Sequence, residues 1–536
     1  MHSSAIGPFE LLGQPAMTPH SAAQLAVADP GGLIQHIDWG AIAPPLIAAV
    51  AAILVLLADL FLPAGRKKAL GWVTAAALAL AVVALIPPAT HPTRATFCLR
   101  GGSGACSYVA DHFTLVFQLL ALGGALIAAL LSIHTVDEEE LPRGEYWFLL
   151  LSSAAGAALL PAARDLATLI IALEVASLPA FALVALRRDG RGAEAALKFF
   201  LSSVTATAVM LLGVSFVYAA SGSLHLADIA EGLAHAPGRL KPLAEAGAAL
   251  TLVGFAFKLA AVPFHFWVPD TYIGAPLPVA GYLSVVGKAA GLSGLALVTT
   301  IAFRPYGHTW GLALAVLAAL TMTAGNVAAL RQRPGTRHSA VRLLAWSSVG
   351  QAGYLLVPIA AAGYAGNGNP SPASGQGGPI GATVAYALIY GVVNLGAFGV
   401  VAAVARTQPS ARLSDFRGLF ARRRGAALAL AFFLLCLAGL PPGVIGLFGK
   451  VVVFRAAVDA GLGWLAVVMA VNVVIALSYY LTWTARLFAP APAAASETSG
   501  RLPAALSATL GLTAGVAVVL SVAPQLVLQV VSGTLF

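Results

Sequence analysis

From residue 42 onward the chain is a succession of apolar runs about 20 residues long, the length that crosses a bilayer as an α-helix. Fourteen such runs lie between residues 42 and 534. Their apolarity is continuous, whereas the strands of a membrane barrel alternate and are about ten residues long. Only 10% of the 536 residues are charged, against about 25% in soluble domains. A water-soluble enzyme or binding domain is thereby excluded. The sequence predicts an all-α, polytopic membrane protein of about 14 transmembrane helices.

The formal net charge of +9 points to topology and not to nucleic acid. With the N-terminus outside, loops after odd-numbered helices carry nineteen of the 30 basic residues and the opposite loops seven. By the positive-inside rule both termini lie outside the cytoplasm. Residues 1–41 read as an outer tail, 42–134 as helices one to three, 146–303 as four to eight, 310–488 as nine to thirteen, and 503–536 as the fourteenth. The first 40 residues lack a basic stretch followed by a short apolar core, so the first helix is expected to direct insertion. Cys98 and Cys106 share one outer loop, where a disulfide is permitted; bridge and free thiols both remain open. Cys436 reads as packing. The acidic run Asp137 to Glu140 reads as a solvated loop, and Asp59 as an interfacial partner of the Arg66-Lys67-Lys68 run.

Four ionisable residues stand inside apolar runs: Glu174, Lys258, Lys288 and Lys450. A lysine at mid-bilayer costs roughly 2.5–3.5 kcal/mol on insertion scales. Such residues need partners, water or a function. A Glu and a Lys on nearby helices favour each other's charged forms, while an amine without an acid faces desolvation. The purely structural alternative, in which all four merely cement the bundle, leaves three cations for one acid unexplained. Lys198 begins an apolar run four residues after Glu194, the favourable helical order; it reads equally as a snorkelling interfacial lysine or as functional. His265 follows Pro263 at a helix break, where an imidazole can exchange protons near neutral pH or simply fill the turn.

Pro263 breaks the seventh helix beyond Lys258, and Leu440-Pro441-Pro442-Gly443 breaks the twelfth near Lys450. Interrupted helices at matching places in two halves point to a transport pathway. Helices 4–8 and 9–13 are therefore expected to form two inverted five-helix repeats, each containing a proline-broken helix. The polar and small residues from Arg342 to Tyr354, together with Asn394, suit close helix contacts and bonds between helices.

The stretch Phe257-Lys258-Leu259-Ala260-Ala261-Val262-Pro263-Phe264-His265-Phe266-Trp267-Val268-Pro269-Asp270, with Gly274-Ala275-Pro276 and Leu283 to Ala290, closely resembles the antiporter-like N subunits of bacterial respiratory complex I. That enzyme is NADH:quinone oxidoreductase, and the mitochondrial counterpart of the subunit is NADH dehydrogenase subunit 2. Leu343 to Leu355, Leu413 to Leu419 and Leu440 to Lys450 add to the resemblance, which runs from about helix four to helix thirteen. It implies that Glu174 and Lys258 form one half-channel's ion pair, that Lys288 connects, and that Lys450 serves the second half-channel, with His265 and Lys198 accessory. It further implies a proton-translocating subunit in the bacterial plasma membrane. Its partners would be the other membrane-arm subunits of complex I and the lipid bilayer, with no nucleic acid. NADH, flavin, iron–sulfur clusters and quinone would reside elsewhere in the complex, since no Gly-rich phosphate loop follows a strand and no cluster-binding cysteine set is present. Trp346 departs from the tyrosine common at its position. Sister subunits and Mrp-type sodium/proton antiporter subunits share the architecture; Tyr272-Ile273-Gly274-Ala275-Pro276 favours the N subunit. An independent solute transporter would need a convergent polar pocket that the sequence does not suggest.

Overall fold

Helices are what the bilayer imposes, because hydrocarbon offers nothing to satisfy an open backbone. The computed structural model describes residues 37–90, 93–99, 104–365, 378–490 and 502–527. Twelve described helices, from Trp39–Phe61 to Ala504–Val522, are long and apolar enough to cross a membrane. The other two of the fourteen runs are short for visible reasons. Arg143–Leu159 has 17 residues and passes into a 3-10 turn at Leu160–Ala162, where Pro161 sits. The twelfth run is split into Arg424–Ala438 and Val444–Asp459. Residues 1–36 of the expected tail and most of the Gly-rich loop expected over 363–378 lie outside the described residues.

Small side chains let the helices approach closely, as association without a hydrophobic driving force requires. The Gly307–Leu330 and Ser339–Tyr364 helices meet so tightly that a Cβ on Gly325 would stand 2.3 Å from the Gly350 nitrogen. The Ser339–Tyr364 and Gly378–Ala405 helices are enclosed on nearly all sides by the bundle.

Both expected breaks are present, and they differ in order. In the seventh run the helix Lys241–Leu259 stops one residue after Lys258, and Trp267–Gly274 resumes beyond it. Ala260 takes the left-handed conformation at φ 60°, which a side chain adopts only when its surroundings hold it there. The freed backbone groups are met from within: Val262 N–H donates to Thr321 Oγ1 at 2.9 Å and the Phe257 carbonyl accepts from Trp267 Nε1 at 3.2 Å. In the twelfth run the break at residues 439–443 comes first and Lys450 follows it. Lysine precedes the gap in one half and follows it in the other. The eighth run holds a feature with no sequence signal, a π-helical segment Leu283–Gly287 directly before Lys288.

At the end opposite the basic loops a two-stranded antiparallel hairpin, Arg94–Cys98 with Cys106–Ala110, adds to the all-α design. Cys98 and Cys106 are joined as a disulfide across it. Asp38 caps the first helix through the Gly40 and Ala41 N–H groups and holds the Arg94 guanidinium at 2.6 and 2.7 Å. Tyr108 donates to the Ala41 carbonyl at 2.9 Å, so the hairpin is moored to the first helix.

The basic end corrects one expectation. Asp137 and Glu138 end the His112–Glu138 helix and are not in a loop, and the run, exposed from Glu138 to Glu140, also forms ion pairs. Asp137 meets Arg143 at 2.7 Å and Lys68 at 3.6 Å, Glu139 meets Arg187 at 3.3 Å, and Glu138 takes the Arg406 guanidinium from 268 residues away. Asp59 pairs with Lys67 at 2.7 Å, as expected of the interface.

Candidate functional site

Lys258 occupies the last turn of its helix and is 8% exposed. Its ammonium donates to Ser177 Oγ and Ser203 Oγ, each at 2.8 Å, with Glu174 Oε1 at 4.0 Å. The Phe181 ring stands 5.7 Å from the amine. Glu174 accepts a bond from Thr207 Oγ1 at 2.8 Å and keeps its side chain 25% exposed. The acid and the amine thus share a loose pair, each anchored by hydroxyls of neighbouring helices. Gly291 makes room for this lysine: a Cβ there would lie 2.9 Å from the Lys258 Cβ.

Lys288 is 1% exposed and has no carboxylate partner among the described residues. Its amine donates to the Ser348 carbonyl and to Ser348 Oγ at 2.7 Å. Within the π segment before it, the Ser284 carbonyl lies 3.1 Å from Tyr390 OH, and that hydroxyl is also 2.9 Å from Ser348 Oγ. Asn394 Nδ2 adds a 2.7 Å bond to Ser284 Oγ, the interhelical role expected of it. π turns inside α-helices are frequent at functional sites, and here Tyr390 and Asn394 of the Gly378–Ala405 helix bond the Ser284 carbonyl and hydroxyl within it.

Lys450, 4% exposed, caps the helix that the break cuts off. Its amine donates to the Leu437 carbonyl at 2.9 Å and the Ala438 carbonyl at 2.7 Å. Those are terminal carbonyls of Arg424–Ala438, the negative end of the helix dipole, where a cation is favoured. The Tyr354 ring lies 5.8 Å from the amine.

Buried polar groups and small cavities lie around these points. A cavity of about 30 Å³ beside Lys258 is lined by Ser177, Ser153, Tyr282 and Gly287, and so reaches the turn before Lys288. Water needs about 10–15 Å³, so this chamber has room for it. Tyr282 donates to Ser153 Oγ at 2.8 Å along its wall. Beyond Lys288 the Ser339–Tyr364 helix carries the line: Ser347 Oγ meets Tyr480 OH at 2.5 Å, and Gln351 accepts from Tyr386 OH and donates to Tyr480 OH at 3.4 Å. Tyr386 and Tyr354 lie with ring centroids 6.1 Å apart. A pocket of about 10 Å³ between Tyr386, Tyr390 and Leu437 abuts a carbonyl that holds Lys450. A cavity of about 670 Å³ at the basic end is lined by none of the three buried lysines.

The accessory candidates lie to the side. His265 sits in the first break with its ring 5.4 Å from that of Trp346, the neighbour of Ser347. Lys198 is 48% exposed and bonds Glu194 at 2.7 Å and Asp270 at 2.9 Å at the basic end, apart from the buried amines. Sequence reasoning did not single out Ser203, Thr207, Tyr282, Tyr386, Tyr390 and Tyr480. A hydroxyl in an apolar helix is common, and only the tertiary pairing selects these.

Residues 163–476 match the family described as NADH:quinone oxidoreductase/Mrp antiporter, TM. The NADH-quinone oxidoreductase subunit N 2 of Streptomyces griseus is 64% identical over 527 residues, covering 96% of each chain. A chain of respiratory complex I from Thermus thermophilus superposes with TM-score 0.72 at 32% identity, over 91% of this chain and all of that one. A chain of the Mrp complex from Dietzia sp. has TM-score 0.77 at 21% identity, over 92% and 97%, a likeness of fold alone.

Proposed function

The chain belongs to the NADH:quinone oxidoreductase/Mrp antiporter family, in its subunit N branch, and on that premise we propose that it is the proton-translocating N subunit of an NADH:quinone oxidoreductase. It would work in the bacterial plasma membrane among the other membrane-arm subunits, with both termini outside and the basic loops in the cytoplasm. NADH, flavin, iron–sulfur clusters and quinone would act in partner subunits, and this chain would carry no redox centre. The division into residues 146–303 and 310–488 as two repeats belongs to the same reading.

What supports it is the set of three enclosed amines: serine hydroxyls hold Lys258 and Lys288, two backbone carbonyls hold Lys450, and small chambers lie beside Lys258 and against the Leu437 wall. Hydroxyls both donate and accept, so they can pass a proton that an amine releases. Glu174 is the control point. Unit charges 4 Å apart interact by about 4 kcal/mol at an effective dielectric near 20. Moving one charge across 100 mV involves about 2.3 kcal/mol. Closing the Glu174–Lys258 pair loads the amine; opening it sends the proton toward Lys288. Lys450, held by two carbonyls, would complete the line.

The test is complex I assembled with Lys258→Ala or Glu174→Ala, with electron transfer and pumping assayed separately. Normal assembly with impaired turnover is expected. Wild-type activity and pumping in both variants would refute the assigned roles.

A further inference from the structure

We infer that the stacked side chains of Phe199 and Trp267 are the gate between Lys258 and the water at the basic face, a role that rests on Lys258 being a proton-carrying site. The two rings are buried, with centroids 4.4 Å apart and planes 13° from parallel. Phe181 meets Phe199 edge-on at 4.6 Å. Trp267 is fixed by the bond from its Nε1 to the Phe257 carbonyl at 3.2 Å.

A cavity lies on each side of this layer. The inner one, about 30 Å³, is lined by both rings together with Lys258 and Ser177. The outer one, about 250 Å³, is lined by Glu194 and Asp270 together with Arg191, Arg337, His338 and Arg342. The order along two helices sets their relation. Going inward on the Gly190–Ser221 helix come Glu194, Lys198, Phe199 and then Ser203, whose hydroxyl holds Lys258 at 2.8 Å. On the Trp267–Gly274 helix Asp270 stands one turn outside Trp267. The Lys198 amine ties the two outer carboxylates together at 2.7 and 2.9 Å.

An ionic mouth and a lysine-bearing chamber are therefore one aromatic layer apart. Apolar constrictions of this kind gate by excluding water, and the stacked carbon faces offer a proton neither donor nor acceptor. When the rings part, water joins the mouth to the chamber, and a proton can pass from it to the unprotonated Lys258 amine. The mouth explains Lys198, which the buried line leaves aside: it keeps Glu194 and Asp270 together at the outer edge of the gate.

The experiment places Lys258→Cys in the assembled complex, in membrane vesicles of both orientations. The rate of modification by the permanently charged, membrane-impermeant 2-(trimethylammonium)ethyl methanethiosulfonate is read on the peptide carrying residue 258. With Phe199 intact, modification is expected to be slow from either face. Phe199→Ala should speed it about five- to tenfold, the loss of one aromatic pair, from the basic face only. Trp267→Phe keeps a stacking ring but loses the bond to the Phe257 carbonyl, and should give a smaller acceleration than Phe199→Ala, again from the basic face only. Phe199→Leu, which keeps apolar bulk but loses the flat stack, should show a smaller acceleration, still one-sided, and serves as the test if the alanine variant does not assemble. An unchanged rate, or equal acceleration from both faces as general loosening would give, overturns the gate. The readout does not depend on pumping, so its failure is separate from any failure of the Lys258 assignment.

Discussion

Ser177 and Ser203 each hold the Lys258 amine at 2.8 Å, while Glu174, its one acid among the described residues, stands off at 4.0 Å. The lysine is thus kept in place by hydroxyls and biased by the carboxylate. A buried donor left without its acceptor loses about 1–3 kcal/mol. Ser203→Ala should therefore leave assembly intact and lower NADH-driven proton uptake by several-fold, and Ser177→Ala with Ser203→Ala should lower it further. Wild-type uptake in the double variant would show that the hydroxyls do not position the amine.

Gly291 gives a sharper geometric expectation. The added methyl of Gly291→Ala would press on the Lys258 Cβ at 2.9 Å, and overpacking in a filled interior costs about 1–3 kcal/mol. Quinone reduction should fall to about a tenth, with the complex still assembled by native gel. Gly511→Ala, where a Cβ meets nothing within 4 Å, is the matched control and should be neutral.

The charged residues and both helix breaks were legible in the sequence because each is expensive in hydrocarbon and needs a reason. What Lys288 and Lys450 bind was not legible. One takes Ser348 and the other the carbonyls of Leu437 and Ala438, and neither choice leaves a mark in local composition. The ion pair that Glu138 makes in the exposed acidic run was hidden for the same reason: its partner Arg406 is 268 residues distant. Nor does Leu283–Gly287 contain a residue that announces a π turn. The cost of burying a group shows in a sequence, whereas the group that offsets it is known only from the fold.

His338, at the start of the Ser339–Tyr364 helix, carries a pH dependence. Partial burial, then the charges of Arg337, Arg191, Arg187 and Arg342, push its imidazole down to about 4. The unfolded chain, with a histidine pKa near 6.5, then binds more protons than the folded one between these values. Stability from this group is full above about pH 6.5 and is lost as pH falls toward 4. Thermal melting of the purified complex should show this acid-side loss, and His338→Gln should reduce its slope. An unaltered slope would mean that His338 titrates normally.

The outer hairpin should be covalently closed. Cys98 and Cys106 should resist alkylation in membranes until a reductant is added, because they are joined. Closing so short a loop contributes about 2–3 kcal/mol in the chain-entropy account. Cys98→Ser should accordingly make the hairpin more sensitive to protease while the lysine line keeps its activity. Alkylation of both thiols without reductant would contradict the bridge.

Lys288 lies between the other two amines and has no acid to share its charge among the described residues, so a continuous proton line must run through it. The decisive measurement is the initial rate of NADH-driven proton uptake by inverted membrane vesicles containing complex I with Lys288→Met, normalised to assembled complex. The account expects assembly near normal, uptake nearly abolished and quinone reduction depressed with it. Uptake at the wild-type rate would contradict the account.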